Sequence, residues 1–186
     1  MERIRHLHLA ADKDVFLATL QRLPQVLSHF DYQRRNLFIR ENNASPKELV
    51  AIDWEFCGRG AIGSDLCPLI LGSIVLFEFP FHSLAELETA ACKAYIEGLR
   101  DAGWAGPAHL ARIGYLIYSS LWFTLAFPGG VAWWSADEQK SFAMQQFGIA
   151  GDDLAKAYAI MFPALLDRAD EARLLINNSD DPLNAK

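Results

Sequence analysis

The residues best suited to chemistry lie close together near the start of the chain. His29, Asp31 and Asn36 follow a His-x-Asp-x4-Asn pattern and lead into the apolar run Leu37-Phe38-Ile39. A second apolar run, Leu49-Val50-Ala51-Ile52, ends in Asp53-Trp54. Two carboxylates and an amide are all oxygen donors. Hard cations such as Mg²⁺ prefer oxygen ligands, usually one or two carboxylates completed by substrate phosphates. A carboxylate not used on a metal can accept the proton of a hydroxyl nucleophile.

The elements that must bring these groups together are two short β-prone runs. Between them lies Glu41-Asn42-Asn43-Ala44-Ser45-Pro46-Lys47-Glu48, which has the Asn and Pro chemistry of a turn. The pattern predicts a β-hairpin. If Phe38 pairs near Ala51, Asn36 faces Asp53, and Asp31, Asn36 and Asp53 share one end of the hairpin. Taken singly, each of these residues is more often a solvated side chain or a turn former. Only the combined spacing is distinctive.

Three segments in order carry a family resemblance: His29-x-Asp31-x4-Asn36-Leu37-Phe38-Ile39, then Val50-Ala51-Ile52-Asp53-Trp54-Glu55-Phe56-x-Gly58, then Gly63-Ser64-Asp65-Leu66. This block, roughly positions 27–70, resembles the aminoglycoside phosphotransferase and choline kinase-like family, which has the protein-kinase-like fold. The resemblance implies transfer of the ATP γ-phosphoryl group to a substrate hydroxyl with Mg²⁺. By motif position, Asp31 is the implied base and Asn36 and Asp53 the implied metal ligands. His29 is the implied structural residue of the loop, and Asp65 the implied brace from a helix start. The chain departs from the family's pattern at Phe30, where Gly is frequent, and at Arg34-Arg35, where Pro-Gly is frequent. The two arginines either stabilise phosphate charge or lie in solvent.

A kinase of this class also needs a nucleotide-binding lobe with a glycine-containing loop and a phosphate-gripping Lys. The 28 residues before His29 contain no Gly and read as no sheet, and Lys13 sits in a helical pattern. The expectation is therefore a C-terminal lobe whose N-lobe is absent or supplied by another chain.

Composition bounds the rest. At 186 residues and 52% hydrophobic the chain can bury one sizeable core. Its net charge of −6 gives no basic footprint for nucleic acid and argues against an anionic membrane surface. Cys57, Cys67 and Cys92 lie in or beside apolar runs without a Cys-x-x-Cys, as expected of reduced core residues in a cytoplasmic protein. The five His show no zinc spacing, and the charged start is unlike a signal peptide. The segment 107–127 is long and apolar, but His109, Arg112, Gly114 and three hydroxyl residues interrupt it, so a buried central helix is expected.

Further helices are expected over residues 9–23, closed by Pro24, and from Asp65 with Ser64 as its cap. Ser83-x-x-Glu86 and Ser135-x-x-Glu138 are capping-box patterns. Phe127-Pro128-Gly129-Gly130 should stop the central helix, and a last helix should start at Asp152 or Asp153 with a kink at Pro163. Trp133-Trp134 either caps the core or lines a substrate pocket, where indole faces would hold a cation.

The chain thus reads as an α+β, mostly helical single domain over 1–175 with a frayed tail over 176–186. By resemblance it is a partial C-terminal lobe of a protein-kinase-like fold, its site on a β-hairpin. The leading expectation is an ATP- and Mg²⁺-dependent small-molecule kinase with a hydroxyl substrate, leaning towards a cationic one. The alternative is a truncated, non-catalytic remnant that forms homo-oligomers or binds a partner. A Mg²⁺-dependent phosphohydrolase ranks last, for want of an Asp-x-Asp nucleophile motif.

Overall fold

The computed structural model describes residues 2–40, 48–134, 136, 140–148 and 150–178. The architecture is α+β and mostly helical, with four short strands in two antiparallel pairs among the described residues. Helices α1 (Glu2–Ala11) and α2 (Lys13–Arg22) come first and place Leu9 and Phe16 in the core. The expected 9–23 helix is therefore divided at Asp12. Pro24 ends α2 as expected: the preceding Leu23 is extended, with ψ 154°.

Strand β1 (Gln25–Ser28) pairs with β4 (Gly58–Ala61), and β2 (Leu37–Arg40) pairs with β3 (Glu48–Ala51). The two pairs are nested in sequence, so the connections 29–36 and 52–57 each run from one pair to the other. That nesting puts the His29–Asn36 loop and the Asp53 loop side by side. The hairpin forms where the pattern predicts it, one residue away from the supposed register. Leu37 faces Ala51 and Phe38 faces Val50, so Asn36 falls opposite Ile52 rather than Asp53.

Gly58–Ala61 is a strand although two of its four residues are glycine. It is a strand because Gly60 lets β1 approach closely: a Cβ there would lie 2.5 Å from Ser28 Oγ and 2.7 Å from Phe30 Cζ. The chain then turns into a helical segment that begins at Leu66, continues as a π-helical turn over Pro68–Gly72 and ends in α3 (Ser73–Val75). Helix α4 (Leu84–Asp101) follows a 3₁₀ turn. Ser83 is itself helical in conformation and makes no side-chain cap, so the first capping box does not form. The second, Ser135-x-x-Glu138, lies outside the described residues.

Helix α5 (Ala108–Ser119) is the central element expected, with Ile113, Tyr115, Leu116 and Ile117 fully buried. It packs on α8 (Gly151–Asn178) and against the turn after β4. Gly114 and Gly63 make the second contact. A Cβ on Gly114 would sit 1.9 Å from the Ile62 carbonyl oxygen, and one on Gly63 would sit 2.0 Å from that of Ala111.

Phe127-Pro128-Gly129-Gly130 does not stop this helix. After α5 the chain widens into a π-helical stretch over Ser120–Ala126 and continues as α6 (Phe127–Trp134). Proline ordinarily breaks a helix by clashing with an upstream carbonyl and lacking an N–H, and a π-helical turn upstream changes that hydrogen-bond pattern. The continuous stretch Ala108–Trp133 is long and apolar enough to cross a membrane, but 65% of its most apolar window is buried within the fold.

Helix α7 (Lys140–Phe147) precedes α8, which runs unbroken through Pro163. Because α8 extends to Asn178, the tail expected from 176 is helical for its first three residues, and the remainder lies outside the described ones. An ion-pair cluster ties the helices together. Glu88 on α4 meets both Arg112 of α5 and Arg168 of α8, and Arg112 also forks onto Glu171 at 2.9 and 2.7 Å. Burial works against the Arg112 charge, but Glu171 and Glu88 more than offset it and raise its pKa. Of the three cysteines, Cys67 is buried and Cys92 half-buried, whereas Cys57 is exposed beside the Asp53 loop and is not a core residue.

Candidate active site

The His29–Asn36 loop is held from below by one carboxylate. Asp65 accepts the backbone N–H of His29 at 2.9 Å through Oδ2 and that of Phe30 at 2.8 Å through Oδ1. Phe30 has φ 63°, a left-handed conformation that costs a bulky residue strain. This is the position where glycine would be easy, and the two bonds to Asp65 help offset the strain. Hydrogen bonds to a charged acceptor contribute about 1.5–3 kcal/mol each.

His29 is buried and joins the two loops. Its Nε2 lies 2.8 Å from the Ile52 carbonyl oxygen, and its Nδ1 accepts the Asp31 N–H at 3.3 Å. One nitrogen must donate and the other accept, which assigns the neutral tautomer protonated on Nε2. Trp54 covers its face, with ring centroids 4.6 Å apart, and is itself anchored by Nε1 donating to the Ala51 carbonyl.

Asp31 is presented by its neighbours. Asn36 Nδ2 donates to Asp31 Oδ2 at 2.8 Å and to its backbone carbonyl at 2.9 Å. Both contacts are acceptors, so the amide nitrogen must face them, and Asn36 Oδ1 is left without a hydrogen bond among the described residues. Gln33 Nε2 donates to Asp31 Oδ1 at 2.6 Å, and Arg35 stands 3.9 Å from Oδ2. Arg35 thus lies beside the carboxylate, whereas Arg34 sits 5.9 Å over the Phe79 ring.

Asp53 is the second residue past β3. The ladder continues one step beyond the strands, with Ile52 N–H donating to the Asn36 carbonyl at 3.0 Å. Asp53 then takes φ 63° and turns the chain, leaving its side chain exposed and without a hydrogen bond or ion pair among the described residues. Backbone pairing therefore sets Asp53 one residue beyond the partner of Asn36; Asn36 is hydrogen-bonded to Asp31, and no hydrogen bond or ion pair joins Asp53 to either among the described residues. Among the described residues no three His, Cys, Asp or Glu side chains gather as a metal cage. By donor type alone, an amide oxygen and a carboxylate suit a Mg²⁺ ion that keeps water and substrate phosphates as its other ligands.

Beside Asp31 opens a pocket of about 530 Å³ walled by Phe30, Gln33, Arg35, Phe56, Tyr118 and Trp122, with Pro68 and Phe123 beneath. Phe30 and Tyr118 stack there, centroids 5.9 Å apart and planes 28° apart. Burial, aided by the Asp65 carboxylate, pushes the Tyr118 phenol up to about 12.

Trp133, for which the sequence leaves a core cap and a pocket wall open, sits on α6 half-exposed against Phe142, at 5.6 Å, and is not among the residues lining this cavity. Trp134 shares that helix; its side chain is outside the described residues. Sequence reasoning missed Gln33, Tyr118 and Trp122. Gln33 had a signal, standing two residues from Asp31 in the loop. Trp122 had none, because the π-helical turn that aims it follows no regular helical period. Comparison with family models, with curated proteins and with solved structures returns no match.

Proposed function

We propose that this chain carries the catalytic loop of an ATP- and Mg²⁺-dependent small-molecule phosphotransferase, in a lobe of protein-kinase-like design. The observation that supports it most is the Asn36 side chain. Its nitrogen holds the Asp31 carboxylate while its oxygen remains for a cation, so one residue couples a proton acceptor to a metal position. In the reaction the acceptor hydroxyl gives its proton to Asp31 as its oxygen bonds to the γ-phosphorus, and the bond to the departing ADP breaks. Asn36 and Asp53 would hold Mg²⁺, which neutralises charge on the phosphates. Asp65 and His29 keep Asp31 in position, and positioning with electrostatics is most of what catalysis requires in this chemistry.

The direct test is transfer from Mg·ATP to a panel of alcohols, with a thermal shift recorded with and without EDTA. Metal-dependent stabilisation by ATP, and turnover lost in Asp31→Asn with the fold intact, are expected. Undiminished turnover in that variant would remove Asp31 from the role of base.

A second reading is favoured by the hairpin surface. Phe38, Ile39 and Leu49 are each more than half exposed, as is Leu27 on β1. A non-catalytic module that self-associates or binds a partner through this surface would show no Mg·ATP shift and would run as a dimer or larger on sizing.

A further inference from the structure

We infer that the pocket beside Asp31 takes a hydroxy compound with an uncharged, planar aromatic body, in preference to an ammonium compound or a polycation. This rests on the phosphotransferase reading for the fate of the hydroxyl, but not for binding itself.

Charge decides against polycations. The charged side chains at the wall are Asp31 and Arg35, one of each sign and 3.9 Å apart. Asp31 is already hydrogen-bonded by Gln33 and Asn36. An incoming ammonium group would meet the Arg35 guanidinium at close range and find no second carboxylate among the described residues that line the pocket.

Size and shape decide against a lone ammonium headgroup. A volume of about 530 Å³ lies within the usual range for whole drug-sized ligands. Phe30 and Tyr118 line the pocket as a stacked pair, and another ring can extend such a pair by offset stacking or edge-to-face contact. At the mouth, Trp122 and Phe56 leave 54% and 60% of their surface in water. Two large, exposed aromatic side chains lining one cavity are what an aromatic ligand would cover. A hydroxyl on such a ligand reaches Asp31 at the polar end.

Calorimetric titration without nucleotide tests this with three probes: 2-naphthaleneethanol, choline and neomycin. The naphthyl alcohol should bind roughly tenfold or more tightly than either cation, and Trp122→Ala should weaken it by roughly tenfold. Trp133→Ala, which alters an exposed ring away from the cavity, should leave that affinity within about twofold. Equal or tighter binding of choline or neomycin would overturn the inference, as would no binding of any probe, or binding indifferent to Trp122. Adding Mg·ATP separates the two readings. Trp122-dependent binding without phosphorylation sinks the phosphotransferase reading and leaves the aromatic site. Preferential phosphorylation of choline or neomycin does the reverse.

Discussion

Asp65 and His29 are 36 positions apart, yet the carboxylate of one receives the backbone N–H of the other at 2.9 Å. The second oxygen takes the next N–H along, that of Phe30. One side chain therefore fixes two consecutive peptide groups just before Asp31, where the left-handed Phe30 reverses the chain. Removing it should harm both stability and the site. Asp65→Ala leaves two donors unpaired, which should cost about 2–4 kcal/mol in urea unfolding. Asp65→Asn keeps one acceptor oxygen and should lose roughly half as much. Equal stability of Asp65→Ala and the parent protein would show that the brace carries no energy.

His29 gives a related prediction about the second loop. Its Nε2–H holds the Ile52 carbonyl, one residue before Asp53, so it sets where Asp53 turns. His29→Asn can keep a short donor, whereas His29→Leu leaves the Ile52 carbonyl unpaired beneath Trp54. His29→Leu should destabilise by about 1–3 kcal/mol and weaken Mg²⁺-dependent stabilisation by ATP more than His29→Asn does. Identical metal dependence in the two variants would detach His29 from the Asp53 loop.

Much of this arrangement is legible in the chain because its signals are local. The hairpin shows as two apolar runs about a turn, and Pro24 and the all-apolar face of α5 read directly. The pairing of β1 with β4 does not. It joins segments some 30 residues apart, and Gly58 and Gly60 have poor strand propensity, so their role becomes visible only when Ser28 and Phe30 are seen against Gly60. The end of α5 misleads for a different reason. A π-helical turn carries the chain through Pro128, and no periodic pattern announces it. The same turn places Trp122 at the pocket, so one irregularity hides both the helix continuation and the aromatic wall.

Gly114 should be one of the two least replaceable described glycines, with Gly63. Its missing side chain lets α5 lie directly on the turn after β4, with the Ile62 carbonyl where a Cβ would go. Both partners are backbone, so neither yields by changing rotamer. Gly114→Ala should destabilise by about 3 kcal/mol or more, measured by denaturant unfolding. Gly98→Ala, at an α4 position with nothing within 4 Å of the added carbon, should be neutral or slightly stabilising.

The Glu88 cluster separates the cost of a broken buried ion pair from the value of an intact one. Glu88 is 8% exposed and serves both Arg112 and Arg168. Glu88→Ala strands Arg168, itself 8% exposed, and should cost about 3–5 kcal/mol. The double replacement Glu88→Met, Arg168→Met removes both charges and should recover most of that loss, because Arg112 keeps Glu171. A double variant as unstable as Glu88→Ala would mean that packing at Glu88, rather than the stranded charge, sets the cost.

All five tyrosines of the chain should resist ionisation. Burial raises the phenol pKa of Tyr32, Tyr95, Tyr115, Tyr118 and Tyr158 above the ordinary value of 10.0, to about 12 for Tyr118. For tyrosine the neutral form is the protonated one, so the folded protein holds these protons to higher pH than the unfolded chain does. The resulting stabilisation is complete below pH 10 and is lost as pH rises through the folded values. Phenolate absorbance should therefore appear later in the native protein than in urea, and unfolding free energy should fall steadily above pH 10. Native tyrosines that titrate together with the unfolded ones near pH 10 would contradict the burial of Tyr115 and Tyr158 in the core and of Tyr118 at the pocket wall.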